Sequence, residues 1–274
     1  MSMQINTNVA ALNAHRNLSN TQNALSSSLE KLSSGLRINR AADDAAGLSI
    51  SEGLRSQVNG MAVAARNAQD GISVIQTTEG ALTEAHSILQ RVRDLAVQAG
   101  NDSNNAESRA AINSEISALG DELARIAGNT NFNGINLLDG SSASLTFQIG
   151  AGNTENDQLT VDLTNLTDVA TIIQDLDITD SAIALTAIGS IDAQITAVSG
   201  ARADLGAQQN RMESAINSLN VTRENLSAAE SRIRDVDMAS EMVNFTRSNI
   251  LSQAGTAMLA QANQSTSGVL QLLG

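Results

Sequence analysis

Not one proline interrupts the 274 residues of this chain. At average usage about a dozen would be present. Each would break or kink a helix it fell inside, because the ring removes a backbone donor and clashes with the preceding turn. The sequence therefore permits helices of any length, and its apolar residues are spaced to use that freedom. From Leu54 the series Leu54, Val58, Met61, Ala65, Ala68, Ile72, Ile75, Glu79, Leu82, His86, Leu89 advances in alternating steps of four and three, an a/d seam over about five heptads. A second series, Ile188, Ile191, Ile195, Val198, Arg202, Leu205, Gln209, Met212, Ile216, Leu219, Arg223, Leu226, Glu230, Ile233, is as regular and spans roughly 70 Å of helix. A third, Ile112, Ile116, Leu119, Leu123 and Ile126, opens after the loop Asn101 to Asn105 and stops at Gly128 and Asn129. Three seams of one type predict a mainly α fold, a long antiparallel coiled-coil-like helical bundle.

Between the seams the period changes to two. Leu145, Phe147, Ile149 and then Leu159, Val161, Leu163, on either side of the Gly- and Asn-rich stretch 150–157, predict a β-hairpin. The segment 141–186 has no basic residue and loses the helical period, so it is expected to be the outward, least constrained region. Aromatics make up 1% of the chain, which leaves Leu, Ile, Val, Met and Ala to build cores suited to narrow seams between helices.

The two ends are patterned differently. Leu18, Leu25, Leu29, Leu32 and Leu36 keep heptad spacing with Gln22 in the seam, and Ile5, Val9 and Leu12 continue the stripe slightly out of phase. Towards the C-terminus apolar residues come in adjacent pairs, Ile250-Leu251, Met258-Leu259, Val269-Leu270 and Leu272-Leu273. Sequence neighbours lie about 100° apart on a helix, so such pairs widen the stripe beyond what one partner helix covers. Each end needs several neighbours and is expected to be loosely ordered alone, folding on association. Leu18, Leu25, Leu29, Leu32, Leu36, Ile250, Leu251, Met258, Leu259, Leu270 and Leu273 are the candidate assembly residues. The expected division is 1–42 plus 236–274, the paired N- and C-terminal helices, and 43–235, the bundle with a hairpin region at about 141–180.

Chemistry is sparse. A net charge of −13, from 16 basic and 29 acidic side chains, opposes attraction to phosphate backbones, so no nucleic-acid partner is expected. With no Cys there are no disulfides, thiol nucleophiles or Cys-ligated metals. The two histidines, His86 in a seam and His15 near the N-terminus, have no companions at ligand spacing and read as structural, so no metal or cofactor is expected. Asp175, Asp177 and Asp180 lack the Gly and Glu of a calcium loop and read as a solvated acidic loop. Gly128, Gly134 and Gly140 read as helix-stop and turn residues. No nucleophile stands beside a base, so the chain is not expected to be an enzyme. No window approaches the ~18 apolar residues of a membrane span, and residues 1–20 lack the apolar block and cleavage site of a secretory signal, so no membrane partner is expected. Gln22, Glu79, Arg202, Gln209, Arg223 and Glu230 interrupt the apolar series, either as long side chains at wet seam edges or as residues that fix register.

Four stretches carry a resemblance. They are the opening Ile5-Asn6-Thr7-Asn8-Val9-Ala10-Ala11-Leu12 and the run from Lys31-Leu32-Ser33-Ser34-Gly35-Leu36-Arg37-Ile38-Asn39-Arg40 through Ala41-Ala42-Asp43-Asp44-Ala45-Ala46-Gly47. The third is Ala228-Ala229-Glu230-Ser231-Arg232-Ile233-Arg234-Asp235-Val236-Asp237-Met238, and the last is Leu259-Ala260-Gln261-Ala262-Asn263-Gln264. In this order they closely resemble the bacterial flagellin family, over roughly 1–140 and 188–274. The resemblance implies an extracellular structural subunit that polymerises with itself into the flagellar filament, the helical propeller of swimming cells. The terminal helices would form an inner filament-core domain and the heptad helices the next shell. The short 141–186 segment implies a thin, smooth outer surface. A hook-filament junction protein of the same fold family is the alternative, but its ends would be expected to depart from these motifs.

The resemblance also implies partners and sites. Export would use the type III apparatus through the growing filament without a cleaved signal, with an export chaperone on the apolar C-terminal pairs and with filament cap and hook-associated proteins as neighbours. The segment Gln90-Arg91-Val92-Arg93-Asp94-Leu95-Ala96-Val97-Gln98 is similar to the helix recognised by the vertebrate flagellin-sensing Toll-like receptor. On that reading Gln90, Arg91, Leu95 and Glu122 make the contact, with Asp94 where Glu is usual; equally, Arg91 and Arg93 hold lateral contacts between subunits. Gly35 and Gly47 bracket the linker 33–46, in which Arg37 and Arg40 are expected to face Asp43-Asp44. These glycines are either a hinge for two subunit packings of similar energy or plain turn residues.

Overall fold

The computed structural model describes the backbone of residues 8–273 and the side chains of residues 8–264. Its elements run α1 (Val9–Ser34), α2 (Ala45–Ala99), α3 (Ala106–Asn129), β1 (Asn131–Phe132), β2 (Ile135–Asn136), β3 (Ser144–Gln148), β4 (Gln158–Asp162), α4 (Leu166–Gln174), α5 (Ser181–Arg234) and α6 (Met238–Leu273). Helix ends carry their expected caps. The Asn8 side chain accepts from the Ala11 N–H at 3.0 Å, and Asn105 accepts from the Ser108 N–H at 2.8 Å. α1 stops at Gly35, whose φ of 72° is left-handed and whose N–H donates to the Lys31 carbonyl.

Residue packing divides the chain into two compact units, Met1–Ser56 with Asn225–Gly274, and Gln57–Glu224. The division falls inside α2 and α5, whereas the boundaries read from the sequence sit near the ends of those helices. A long helix has no break at which packing must change, so its partners can change midway.

In the unit 57–224 the mainly α fold expected from the sequence is present, with one shift of phase. The fully packed series on α2 is Ala64, Ala68, Gly71, Ile75, Thr78, Leu82, Ala85, Leu89, Val92, Ala96 and Ala99, again in alternating steps of four and three. It shares Ala68, Ile75, Leu82 and Leu89 with the expected seam. Gly71, Thr78 and Ala85 replace Ile72, Glu79 and His86, which lie one residue to the side and are half-buried. Small residues win these positions because helices approach most closely where a side chain is short. A Cβ on Gly71 would stand 2.7 Å from Met212 Cε on α5 and 3.3 Å from Phe147 on β3. On α5 the buried residues Ala184, Ile191, Val198, Leu205 and Met212 recur at every seventh position.

The polar interruptions thus flank the seam. Arg202 on α5 donates to Glu79 on α2 at 3.4 Å, an ion pair at the seam edge of the kind that aligns neighbouring helices.

The predicted hairpin is β3 with β4, antiparallel, pairing Leu145 with Val161 and Phe147 with Leu159. The surrounding segment is more ordered than expected. α4 lies within it, capped by Asn165, with Leu166, Val169, Ala170 and Ile173 buried, and Ile178 is buried just after it. Leu166, Val169, Ala170 and Ile173 follow the spacing of an amphipathic helix, so the helical period is lost only outside these nine residues. α4 packs on α3 where Gly120 gives room: a Cβ there would lie 2.7 Å from Gln174 Cγ and 3.3 Å from the Gln174 backbone N. A second, two-residue hairpin joins β1 to β2 through Asn133 and Gly134, both at positive φ. One further correction concerns membranes: α5 does contain a window long and apolar enough, by length and composition, to cross one. Within that window 22% of the residues are buried.

In the unit of the two termini, α1 packs along α6. Leu18 lies 3.2 Å from where a Cβ on Gly255 would stand, Asn8 Nδ2 donates to the Ala262 carbonyl at 3.0 Å, and Ser252 Oγ donates to Gln22 Oε1 at 3.3 Å. The chain segments that leave the two helices are tied together. The Arg37 N–H donates to the Arg234 carbonyl at 2.6 Å, and the Val236 N–H donates to the Gly35 carbonyl at 3.0 Å, a short antiparallel bridge. The Arg37 guanidinium adds a bond to the Ile233 carbonyl at 2.5 Å, and Arg234 pairs with Glu52 at 2.5 Å.

Candidate functional site

The terminal helices carry an uncovered apolar surface. Val9, Leu12 and Leu29 on α1, and Met238, Met242, Val243, Ile250, Leu251 and Met258 on α6, are all exposed. Of the candidate assembly residues, Leu18, Leu25, Leu32, Leu36 and Leu259 are half-buried in the α1–α6 unit, whereas Leu29, Ile250, Leu251 and Met258 are not covered. Leu270 and Leu273 lie outside the residues whose side chains are described, as does Ile5. Met238, Met242 and Val243 extend the face beyond the residues selected from the sequence; Met242 and Val243 form one more adjacent apolar pair of the kind that defined it. Apolar residues are distributed around α6 and not confined to the side that meets α1. A helix of this kind is stable only when enclosed by several others.

The linker shows a different geometry from the one expected. Arg40 Nε bonds Glu30 at 2.8 Å and Arg37 bonds the Ile233 carbonyl, so neither arginine side chain pairs with Asp43-Asp44. The two aspartates are occupied locally. Asp43 accepts from the backbone N–H groups of Asn39 and Arg40, at 3.0 and 2.9 Å, and those bonds hold its carboxyl below the usual carboxylate range. Asp44 accepts from the Gly47 N–H at 2.9 Å and caps α2. Gly47 is buried in the first turn of α2, where a Cβ would stand 2.5 Å from the Asp44 carboxylate and 2.7 Å from Ile38, so close packing explains the glycine. Gly35 is explained by its left-handed φ.

The segment read as a receptor contact is partly inaccessible. Arg91, with 57% of its side chain exposed, places its Nε and Nη2 on Glu115 Oε1 of α3 at 3.1 and 2.7 Å. Gln90 is exposed beside His86, at 3.0 Å. Leu95 is only 2% exposed and belongs to the core, so it cannot flank Arg91 on the surface of an intact helix. It follows Val92 by three residues, within the wide stripe by which α2 meets several partners at once. Glu122 is engaged by Arg125 one turn on, and that bond holds its carboxyl low. Asp175, Asp177 and Asp180 are exposed, and among the described residues no group of three His, Cys, Asp or Glu side chains is placed to hold a metal ion.

Known proteins similar to this chain identify its family. Residues 5–143 match the family described as bacterial flagellin N-terminal helical region, and residues 188–273 match the bacterial flagellin C-terminal helical region. A flagellin of Halalkalibacterium halodurans is 54% identical over 271 residues, covering 99% of this chain and 100% of that protein. A flagellin of Bacillus subtilis is 50% identical over 305 residues with the same coverage. Among solved structures, Bacillus cereus flagellin aligns with a TM-score of 0.50 at 33% identity, over 60% of this chain and 94% of that one. With both family regions matched and full-length relatives at this identity, the chain belongs to the bacterial flagellin family and is a structural subunit of the flagellar filament.

Proposed function

We propose that copies of the chain pack into the filament through the faces of α1 and α6 that its own fold leaves uncovered. On this reading 1–42 with 236–274 is the inner filament-core domain and 43–235 the part carried outside it. The uncovered apolar residues of α6, Ile250 and Met258 above all, support it. Hydrogen exchange tests it: on going from monomer to filament, the amides of α1 and α6 should gain at least about a hundredfold protection while 57–224 changes little. Equal gains throughout, or none in α1 and α6, would move the interface elsewhere. The same apolar face is what an export chaperone would cover before passage through the type III apparatus without a cleaved signal. Cap and hook-associated proteins would meet it at the filament's ends.

Within this proposal Gly35 is the pivot for alternative subunit packings. A Cβ in the left-handed conformation costs about 1–2 kcal/mol, enough to bias two packings of similar energy. Gly35→Ala filaments should keep wild-type length and change waveform in electron micrographs; an unaltered waveform removes the pivot.

A second reading concerns the vertebrate Toll-like receptor, supported by the exposed Arg91 fork. Glu115 occupies that fork in the free chain, so a receptor carboxylate would have to displace it. Gln90 and Glu122 are accessible enough to flank the contact, whereas Leu95 serves only to anchor the helix. Arg91→Ala should lower receptor signalling by monomer at least about tenfold, with helical circular dichroism retained. Equal potency would discard the site.

A further inference from the structure

Side chains that change charge above pH 8 are Cys, Tyr and Lys, near pH 8.5, 10 and 10.4 as classes, whereas Arg stays charged beyond 12. This chain has no Cys and no Tyr, and Lys31 is the single lysine among its 16 basic residues. Lysine is among the commonest residues of ordinary proteins, so the substitution of arginine for it here is nearly complete. The structure shows where that choice acts. In every ion pair among the described residues the cation is arginine.

Four of these pairs join separate helices: Arg91 on α2 meets Glu115 on α3 at 2.7 Å, and the other three link α2 with α5. Arg93 Nε meets Asp192 at 2.6 Å and Arg202 meets Glu79 at 3.4 Å, both between α2 and α5, and Arg234 on α5 meets Glu52 on α2 at 2.5 Å. The other charged group influencing Arg93 is Asp94, which also favours its cationic form. Lys31 is near Asp43, whose carboxyl is already held low by backbone N–H groups, and Arg40, one of the linker's two arginines, pairs with Glu30.

Geometry alone does not account for so uniform a choice. The rigid fork of arginine matters where a pair is bidentate or desolvated, yet Arg40, with 71% of its side chain exposed, would be served at neutral pH by lysine. What lysine cannot do is remain charged above about pH 10.5. A filament outside the cell has the external medium on every side, with no cytoplasm to buffer it.

We infer that the filament of this chain is built to persist in strongly alkaline media, its charge pattern holding to about pH 11.5 because arginine carries its ion pairs. From pH 8 upward the side-chain charge moves by a single unit, so self-repulsion of an already acidic chain does not grow.

Purified filaments held from pH 8 to 11.5 in constant salt test this by sedimentation and electron microscopy. The sedimentable fraction at pH 11 should lie within about a tenth of that at pH 8. A triple variant, Arg93→Lys, Arg202→Lys and Arg234→Lys, should polymerise at pH 7.5 and lose half its polymer at a pH at least about one unit below wild type. If that variant fails to polymerise, thermal unfolding of monomer by circular dichroism decides. The fall in Tm between pH 8 and 11 should then be several degrees larger in the variant than in wild type. Wild-type filaments that release half their subunits by pH 10.5, or an alkaline response shared by wild type and variant, would overturn the inference. Absence of wild-type filaments at pH 8 would count against polymerisation itself, with the circular dichroism comparison still deciding the alkaline inference.

Discussion

A chain carrying Ile250→Asp and Met258→Asp should not form filaments at any concentration at which the wild type does. The two side chains are 61% and 64% exposed in the single chain and lie eight residues apart on α6, about 80° apart around its axis and so on one broad face. Covering each contributes on the order of 1 kcal/mol, since more than half of its area is still available to bury. Covering an aspartate in its place costs several kcal/mol unless a cation meets it. The combined change exceeds about 3 kcal/mol per subunit, more than a hundredfold in critical concentration. Neither substitution should harm the fold of 57–224, because both sites lie outside that unit. Helical content and Tm of the soluble variant provide that control. Polymerisation at the wild-type critical concentration would show that this face of α6 stays wet in the filament.

Periodicity makes the long helices legible and leaves their facing residues uncertain. A 3.5-residue repeat is a local property, and with no proline to interrupt it the presence of α2, α3 and α5 follows from counting apolar positions, although α2 runs beyond the counted series at both ends. Phase is another matter. Ile72 outranks Gly71 in hydrophobicity, and Glu79 and Thr78 are both polar, so nothing in residue type alone says that Gly71 and Thr78 are the ones packed against other elements. The deciding quantity is the distance between elements, set by Met212 and Phe147 across the gap at Gly71. For the same reason Leu95 looks available on a helix face. Its burial depends on α2 meeting more than one partner near its C-terminal end, which is a fact about topology. At the ends of the chain the signal is stronger, because adjacent apolar pairs are costly in any helix with one partner, and Ile250, Leu251 and Met258 are indeed uncovered here. The Asn133-Gly134 hairpin is readable from its dipeptide, which favours positive φ at both residues. At two residues per strand it offers no alternation to support the reading.

The helix missed in the sequence carries the sharpest internal control. Ile172 and Ile173 are neighbours on α4, one 39% exposed and the other fully buried. Ile173→Ala should destabilise the unit 57–224 by about 2–5 kcal/mol, the range for emptying a packed core site. Ile172→Ala should stay within about 0.5 kcal/mol, and the gain in helix propensity offsets part of that. The difference arises because α4 has one side to bury: Leu166, Val169, Ala170 and Ile173 face the core with α3 and the β3–β4 hairpin, and Ile172 is turned about 100° away from Ile173. Relief by local collapse is limited, since the end of α4 already sits against α3 at Gly120, where an added Cβ would lie 3.3 Å from the Gln174 backbone N. Chemical denaturation of the soluble monomer measures both variants. Similar losses for the two would mean that α4 is held by its caps and loop connections, and a small loss at Ile173 with an unchanged slope would mean that the site can close. Either result would return the segment 141–186 to the loosely constrained region its composition suggests.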